Sequence, residues 1–349
     1  AANNNEQNAA NNNEQNAANN NEQNAANNNE QNAADNNEQD AADNNEQNAA
    51  DVNGVPAAAK APVLMLAKAP AAPTGTPTTP TEDNTVATIT RQDGTTTTTT
   101  KYTSFDEAVS KANNGDTIEV IKDATSTGID LQNKNLTIKG KTVTTTTDSG
   151  TEEKTTVKPK LKFVAKDGQP QIFGITLQGS NLTFQNMDVD MTGASSTTYN
   201  KWNAVCMSHD AALTLDNTKF SMDGTGLATE AHGIYMAGRG RNELNVNNHS
   251  TLTINNCFNA IAWDGVGGGN EGSTYFINIT DGSTFTADGN NGGIIGREAL
   301  DVLVDNSTLT VTNCANRGDW EGRSGFNGAD VKIVNGSTAN ISGNHGGYG

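Results

Sequence analysis

A parallel β-helix is the fold class that this sequence predicts, and three observations predict it. Short strands of alternating hydrophobicity recur in doublets from about Ile129 to the C-terminus. The turn inside each doublet is built from Asn, Asp, Gly and Ser, which tolerate left-handed backbone. The chain is 33% hydrophobic but only 5% aromatic, with 35 Gly among 349 residues. That composition suits a narrow tube filled by small aliphatic side chains better than a thick α/β core.

The first 48 residues are an octapeptide in tandem, Ala1-Ala-Asn-Asn-Asn-Glu-Gln-Asn8, repeated from Ala9, Ala17 and Ala25 and, with Asp replacing some Asn, from Ala33 and Ala41. Paired Ala every eight residues drift around a helix, so no apolar face persists. Residues 1–48 therefore read as a disordered, solvated spacer, with a repetitive binding tract as the rival reading. Residues 49–84 form a Pro/Ala/Thr-rich linker, extended and semi-rigid. Val63-Leu-Met-Leu66 is too short for the apolar core of an export signal, so such a signal is expected upstream of Ala1.

Residues 85–349 change to strand text. Thr85–Arg91, Asp93-Gly94 and the following Thr run predict a hairpin. Ser104-Phe-Asp-Glu107 is a capping box that opens a short capping helix to about Ala112. Thr117–Ile121 is a strand. Beyond it, doublets begin at Ile129/Leu136, Ile175/Leu182, Val205/Leu213, Leu244/Leu252, Ile277/Phe285, Val302/Leu309 and Val331/Ala339, and the residue two positions on is apolar in every one. Period-two alternation turns one side of each strand inward. The irregular spacing between copies fits about seven rungs of a solenoid with loops inserted at some corners; propeller blades are the main rival. Third strands are expected at Ile118–Val120, Leu161–Phe163, Gly233–Met236, Ala260–Trp263 and Gly293–Ile295. Asn186, Asn217, Asn256 and Asn313 are placed to hydrogen-bond from rung to rung. Thr142–Lys158 reads as an inserted hairpin turning at Asp148-Ser-Gly150. The last rung is uncovered at Gly349, so a continuation is expected there.

The net charge of −18 argues against nucleic acid, whose phosphates need Lys and Arg. No apolar run is long enough to span a membrane. Three Cys without CxxC spacing exclude a zinc ribbon and a disulfide scaffold.

Val86-Ala-Thr-Ile-Thr, Asp93-Gly, Tyr102-Thr-Ser-Phe-Asp-Glu-Ala-Val109, Gly115-Asp-Thr-Ile-Glu-Val120 and Leu136-Thr-Ile-Lys-Gly140 together carry a resemblance. The stretch resembles the opening segment of pectin-lyase-fold (right-handed parallel β-helix) domains in surface proteins of Gram-positive gut bacteria. The resemblance implies an extracellular, cell-surface or cell-wall location and an adhesin-like role. It implies partners among host glycans or host secreted proteins. The fold also carries polysaccharide lyases and glycosidases, but no lyase or hydrolase motif matches here, and the wall-sorting signal usual in such proteins is absent.

A lyase of this kind would need clustered Asp for calcium and an Arg or Lys base. Asp188 and Asp190, on alternating positions, and Arg239 and Arg241, flanking a Gly, are candidates for it, and Asp188-Val-Asp190 also reads as the outward side of a strand. No motif supports calcium, and no cofactor is expected. His209, His232, His249 and His345 lack metal-site spacing. Cys257 and Cys314 occupy equivalent places with the Phe285 rung between them, about 10 Å apart, too far for a disulfide. They are expected as free, buried thiols, and Cys206 is expected to face outward.

The same equivalence aligns Trp263-Asp264 with Trp320-Glu321, two Trp-acid pairs on one side of the tube. With Trp202 and Tyr199 nearby, they form the preferred ligand-binding surface, since Trp faces stack on sugars or anchor proteins. The competing reading has each Trp covering a corner of the core. Arg317-Gly318-Asp319 spells an integrin-type tripeptide beside Trp320. The expected function is a binding protein that recognises a host or environmental ligand, a mucosal glycan or a host protein such as immunoglobulin. A carbohydrate-active enzyme and a structural stalk are the alternatives.

Overall fold

The computed structural model describes residues 84–146, 152–156, 158–164, 173–193, 201–225, 230–237, 240–263, 273–314 and 325–345. The octapeptide tract and nearly all of the linker lie outside them. The chain begins with an antiparallel hairpin, β1 (Ala87–Asp93) and β2 (Thr96–Tyr102), turning at the open, left-handed Gly94. Helix α1 (Phe105–Lys111) follows; its N-cap Ser104 accepts the Glu107 N–H, and it seats Phe105, Ala108 and Val109 in the core. Both elements stand where the sequence placed them.

The coil proper runs through β3 (Thr117–Val120), β4 (Ala124–Ser126), β5 (Ile129–Gln132) and β6 (Leu136–Gly140). An antiparallel ribbon, β7 (Thr142–Thr146) and β8 (Glu152–Thr156), interrupts it as expected, with the tip outside the described residues. The coil resumes with β9 (Lys160–Val164), β10 (Phe173–Gln178), β11 (Asn181–Gln185) and β12 (Asp188–Gly193). It continues through β13 (Lys201–Ser208), β14 (Ala212–Asp216), β15 (Lys219–Asp223), β16 (Glu230–Met236), β17 (Arg241–Asn247) and β18 (Thr251–Asn255). Then come β19 (Asn259–Trp263), β20 (Thr274–Ile279), β21 (Thr284–Asp288), β22 (Gly292–Asp305), β23 (Thr308–Thr312), β24 (Phe326–Val334) and β25 (Thr338–Ser342).

These strands stack in parallel into three faces of a β-helix. Face A carries β5, β10, β13, β16, β19, the first half of β22 and the start of β24. Face B carries β3, β6, β11, β14, β17, β20 and the remainders of β22 and β24. Face C runs β4, β9, β12, β15, β18, β21, β23, β25. All five expected third strands are present.

The doublet reading needs one correction. Ile129/Leu136, Ile175/Leu182 and Val205/Leu213 turn from face A to face B, whereas Leu244/Leu252 and the later pairs turn from B to C. Leu213 therefore stacks on Leu244, not Leu252. The two corners use similar Asn, Gly and Ser turns, so pattern alone could not tell them apart. The inward residues survive the correction because all three faces share one lumen. Every one is buried except in the last level, where Val331, Ile333 and Ile341 are 39%, 45% and 47% exposed and Ala339 is half-buried.

The corners explain how the tube holds its register. Between faces B and C, the backbone N–H groups of Thr218, Ser250, Ser283 and Ser307 each donate to the hydroxyl one rung on, at 3.0–3.1 Å, ending at Ser337. Thr218 and Ser337 hydroxyls donate in turn to the Phe184 and Val304 carbonyls, both at 3.0 Å. Every buried polar atom in that relay thus has a partner. Outside it the expected Asn-to-Asn bonding is met in one step, Asn217 Nδ2 donating to Asn186 Oδ1 at 2.7 Å. Asn248 and Asn335 donate instead to Asp216 and Asp305, and the expected Asn256 and Asn313, at the corner between faces C and A, to Asp223 and Asp288. These Asn residues adopt the left-handed backbone expected of them.

The corner between faces C and A alternates between two designs. Successive rungs read Asp223-Gly224-Thr225, Asn255-Asn256-Cys257, Asp288-Gly289-Asn290, Thr312-Asn313-Cys314 and Ser342-Gly343-Asn344. Each Gly leaves room for the Asn of its neighbour: a Cβ on Gly289 or Gly343 would stand 2.8 or 2.7 Å from Asn256 or Asn313 Oδ1. Just beyond, Gly174, Ala204, Gly233, Ala260 and Gly293 fall at one level, and a Cβ on Gly233 would sit 2.4 Å from the Ala260 carbonyl and 2.6 Å from Ile254 Cγ2.

Candidate functional site

That small-residue level bends each face-A strand and sets the direction of its neighbours. Gly233 points at the inward Ile254, so the preceding residue turns outward. The outward residues before the bend are Asn203, His232 and Asn259, in register on three successive strands. After the bend, Val205, Ile234 and Ile261 enter the core, while Cys206, Tyr235 and Ala262 form a second outward row.

Asn259 Nδ2 lies 3.1 Å from His232 Nδ1, and the His232 ring packs edge-on against Phe258 with centroids 5.3 Å apart. The amide NH₂ can only donate, so in this contact His232 Nδ1 is the acceptor. Tyr235 lies 6.0 Å from the same imidazole. Asn203 and Asn259 are 8% and 3% exposed, whereas His232 and Tyr235 are half-buried. The Asn203 Oδ1 is buried and has no hydrogen-bond partner among the described residues. This column was missed in the sequence. Its signal is the polar-small pair that recurs once per rung at Asn203-Ala204, His232-Gly233 and Asn259-Ala260.

Trp202 lies within β13, its backbone paired with Ala231, and Trp263 ends β19 opposite Met236. Tyr199, Asp264, Arg317, Asp319, Trp320 and Glu321 fall outside the described residues. In chain order, however, each of the eight lies on a face-A strand or in a connection that enters or leaves one. The register does not support aligning Trp263 with Trp320. Ile261, Ile294 and Phe326 share a column, so the strand that continues this face begins only after Trp320. The connection from β23 to β24 is longer than that from β18 to β19, and equal spacing from Cys257 and Cys314 does not carry through it.

The residues considered for lyase chemistry are separated. Asp190, on face C, is bound by Lys160 Nζ at 2.8 Å and accepts the Thr192 N–H. Burial alone would raise its carboxyl; Lys160 and Thr192 reverse this and hold it below the ordinary value. Arg241, on face B, pairs with Glu243 and lies 3.9 Å over the Phe276 ring. Arg239 is outside the described residues. His209 and His249 occupy left-handed corners, and His345 bonds the Gly343 carbonyl.

All three Cys are free and buried. Cys257 and Cys314 are separated by the Phe285 rung as expected. Cys206 turns away from the lumen but is only 2% exposed. Its outward direction therefore does not make it a surface thiol: desolvation pushes it, like Cys257, up to about 12.

Among the described residues no helix is long and apolar enough to cross a membrane. No family model, curated protein or solved structure matches the chain.

Proposed function

We propose that the chain is a bacterial surface protein, secreted or wall-associated, whose β-helix binds a host or environmental ligand through face A. The ligand is a mucosal glycan or a host protein such as immunoglobulin. One observation carries this reading: the polar and aromatic group Asn203, His232, Asn259, Tyr235 and Phe258 gathers on the same face whose strands and connections hold Trp202, Trp263 and Trp320. Side chains that combine a flat ring with amide donors and acceptors fit sugars and protein anchors alike. Catalysis ranks second because Asp190 and Arg241 stand on different faces and each is already engaged by a partner. A stalk ranks third, since it gives no use to the ring and amide group gathered on face A.

Binding of the whole chain to an array of glycans and host proteins tests the reading. The Trp263→Ala/Trp320→Ala double variant is expected to lose binding while keeping its fold. Release of sugar from pectic or mucin substrates, abolished by Asp190→Asn, would replace the binding reading with the enzymatic one.

A further inference from the structure

Resting on that reading, we infer that Asn203 is the floor of a subsite for an uncharged sugar, its Oδ1 accepting a ligand hydroxyl. Asn203 is 8% exposed, and its carbonyl oxygen is buried with no partner among the described residues. A buried acceptor left unpaired weakens a fold, so its presence calls for a reason. Its position supplies one. One strand spacing away, about 4.8 Å, lies His232, half-buried and braced by Asn259 and Phe258. Asn203 thus sits deep and His232 at the rim of a single outward column.

The chemistry of the column selects the ligand. That acceptor needs a donor, and a sugar hydroxyl is one, whereas a carboxylate is not. The two amides supply hydrogen bonds without a formal charge. Asp130 stands in the neighbouring outward row, in register with Thr176 and, through it, Cys206. With a whole-chain charge of −18, that carboxylate disfavours sialylated and uronate sugars. Tyr235 and Phe258 offer apolar rings to the carbon-bound faces of a pyranose.

The test compares the full chain with Asn203→Leu, which removes the acceptor while keeping the side chain's approximate size, and with Asn203→Ala as a second variant. The probes are a neutral N-acetylhexosamine–hexose disaccharide and the same disaccharide carrying a terminal carboxylate. The neutral probe is expected to bind the native chain at least about tenfold more tightly than the acidic one. Asn203→Leu is expected to weaken neutral binding by about tenfold or more while leaving the unfolding midpoint unchanged or raised. A purely structural amide would give the opposite midpoint shift. Unchanged sugar affinity in both variants, preference for the acidic probe, or a lowered midpoint in both overturns the subsite. If the chain binds a host protein and no sugar, the subsite falls while the surface-binding reading stands. If it binds none of these, both fall.

Discussion

The backbone N–H of Cys257 ends on Asn290 Oδ1, 2.8 Å away on the next rung, and Asn290 Nδ2 returns to the Ile254 carbonyl at 2.8 Å. Two rungs further, Cys314 and Asn344 repeat the arrangement at 2.9 and 3.0 Å. Asn thus serves as a buried bracket that a neighbouring Cys, small and nearly apolar, leaves room for.

Replacing Asn290 with Ala strands both the Cys257 N–H and the Ile254 carbonyl in the interior. The expected loss is about 1–3 kcal/mol, read as a lower urea midpoint at unchanged slope. Asn344→Ala, at a less buried level, should cost less. Equal midpoints for Asn290→Ala and the native chain would show that water replaces the bracket.

Thiol chemistry should be silent in the native state. Burial pushes Cys206 and Cys257 up to about 12 and raises Cys314 as well. A disulfide reagent at pH 8 is expected to label these positions only after denaturant is added. Because the folded values lie above the ordinary 9.0, the stabilising contribution is complete below pH 9 and declines as pH rises towards 12. Prompt labelling of the native chain would contradict the buried placement.

Gly293→Ala and Gly94→Ala should separate cleanly. A Cβ at Gly293 would stand 2.2 Å from the Gly325 carbonyl, a backbone atom, and 2.8 Å from Val311 Cγ1. Overpacking there is expected to cost about 1–3 kcal/mol or more. At Gly94 nothing lies within 4 Å, and only the left-handed φ of +58° resists a side chain, at about 1–2 kcal/mol. Thermal melts of the two variants check the order.

Acid should loosen the N-terminal hairpin through Asp116. Its carboxylate takes Arg91 Nη2 at 2.5 Å and the Asn113 N–H at 2.6 Å. Burial raises its titration point, but the guanidinium and the N–H outweigh burial and bring it below 3.8. The contribution is therefore present above pH 3.8 and disappears as pH falls through the lowered value. Arg91 is 36% exposed, so Asp116→Asn should cost only about 1 kcal/mol at pH 7 and flatten the pH dependence of melting below pH 3.8. A melting curve as steep in pH as the native one would assign the effect elsewhere.

The sequence made the tube legible because alternation leaves an unmistakable trace in a chain this poor in large apolar residues. The hairpin at Gly94, the helix capped by Ser104 and the inserted ribbon after Gly140 were equally plain. The identity of each corner was not, since Asn217 and Asn256 look alike in the text yet end strands on different faces. Trp320 was misaligned for a related reason: a repeat read by counting cannot see an insertion between Cys314 and Phe326. The Asn203–His232–Asn259 column escaped notice because its members lie 29 and 27 residues apart and become neighbours only once the register is known.

The hydroxyl relay from Thr218 to Ser337 joins each level only to the adjoining one. Tension along the axis passes through every level in series, and the weakest level yields first. A molecule tethered at one end and pulled at the other will give way coil by coil, in steps whose length follows the number of residues in each coil.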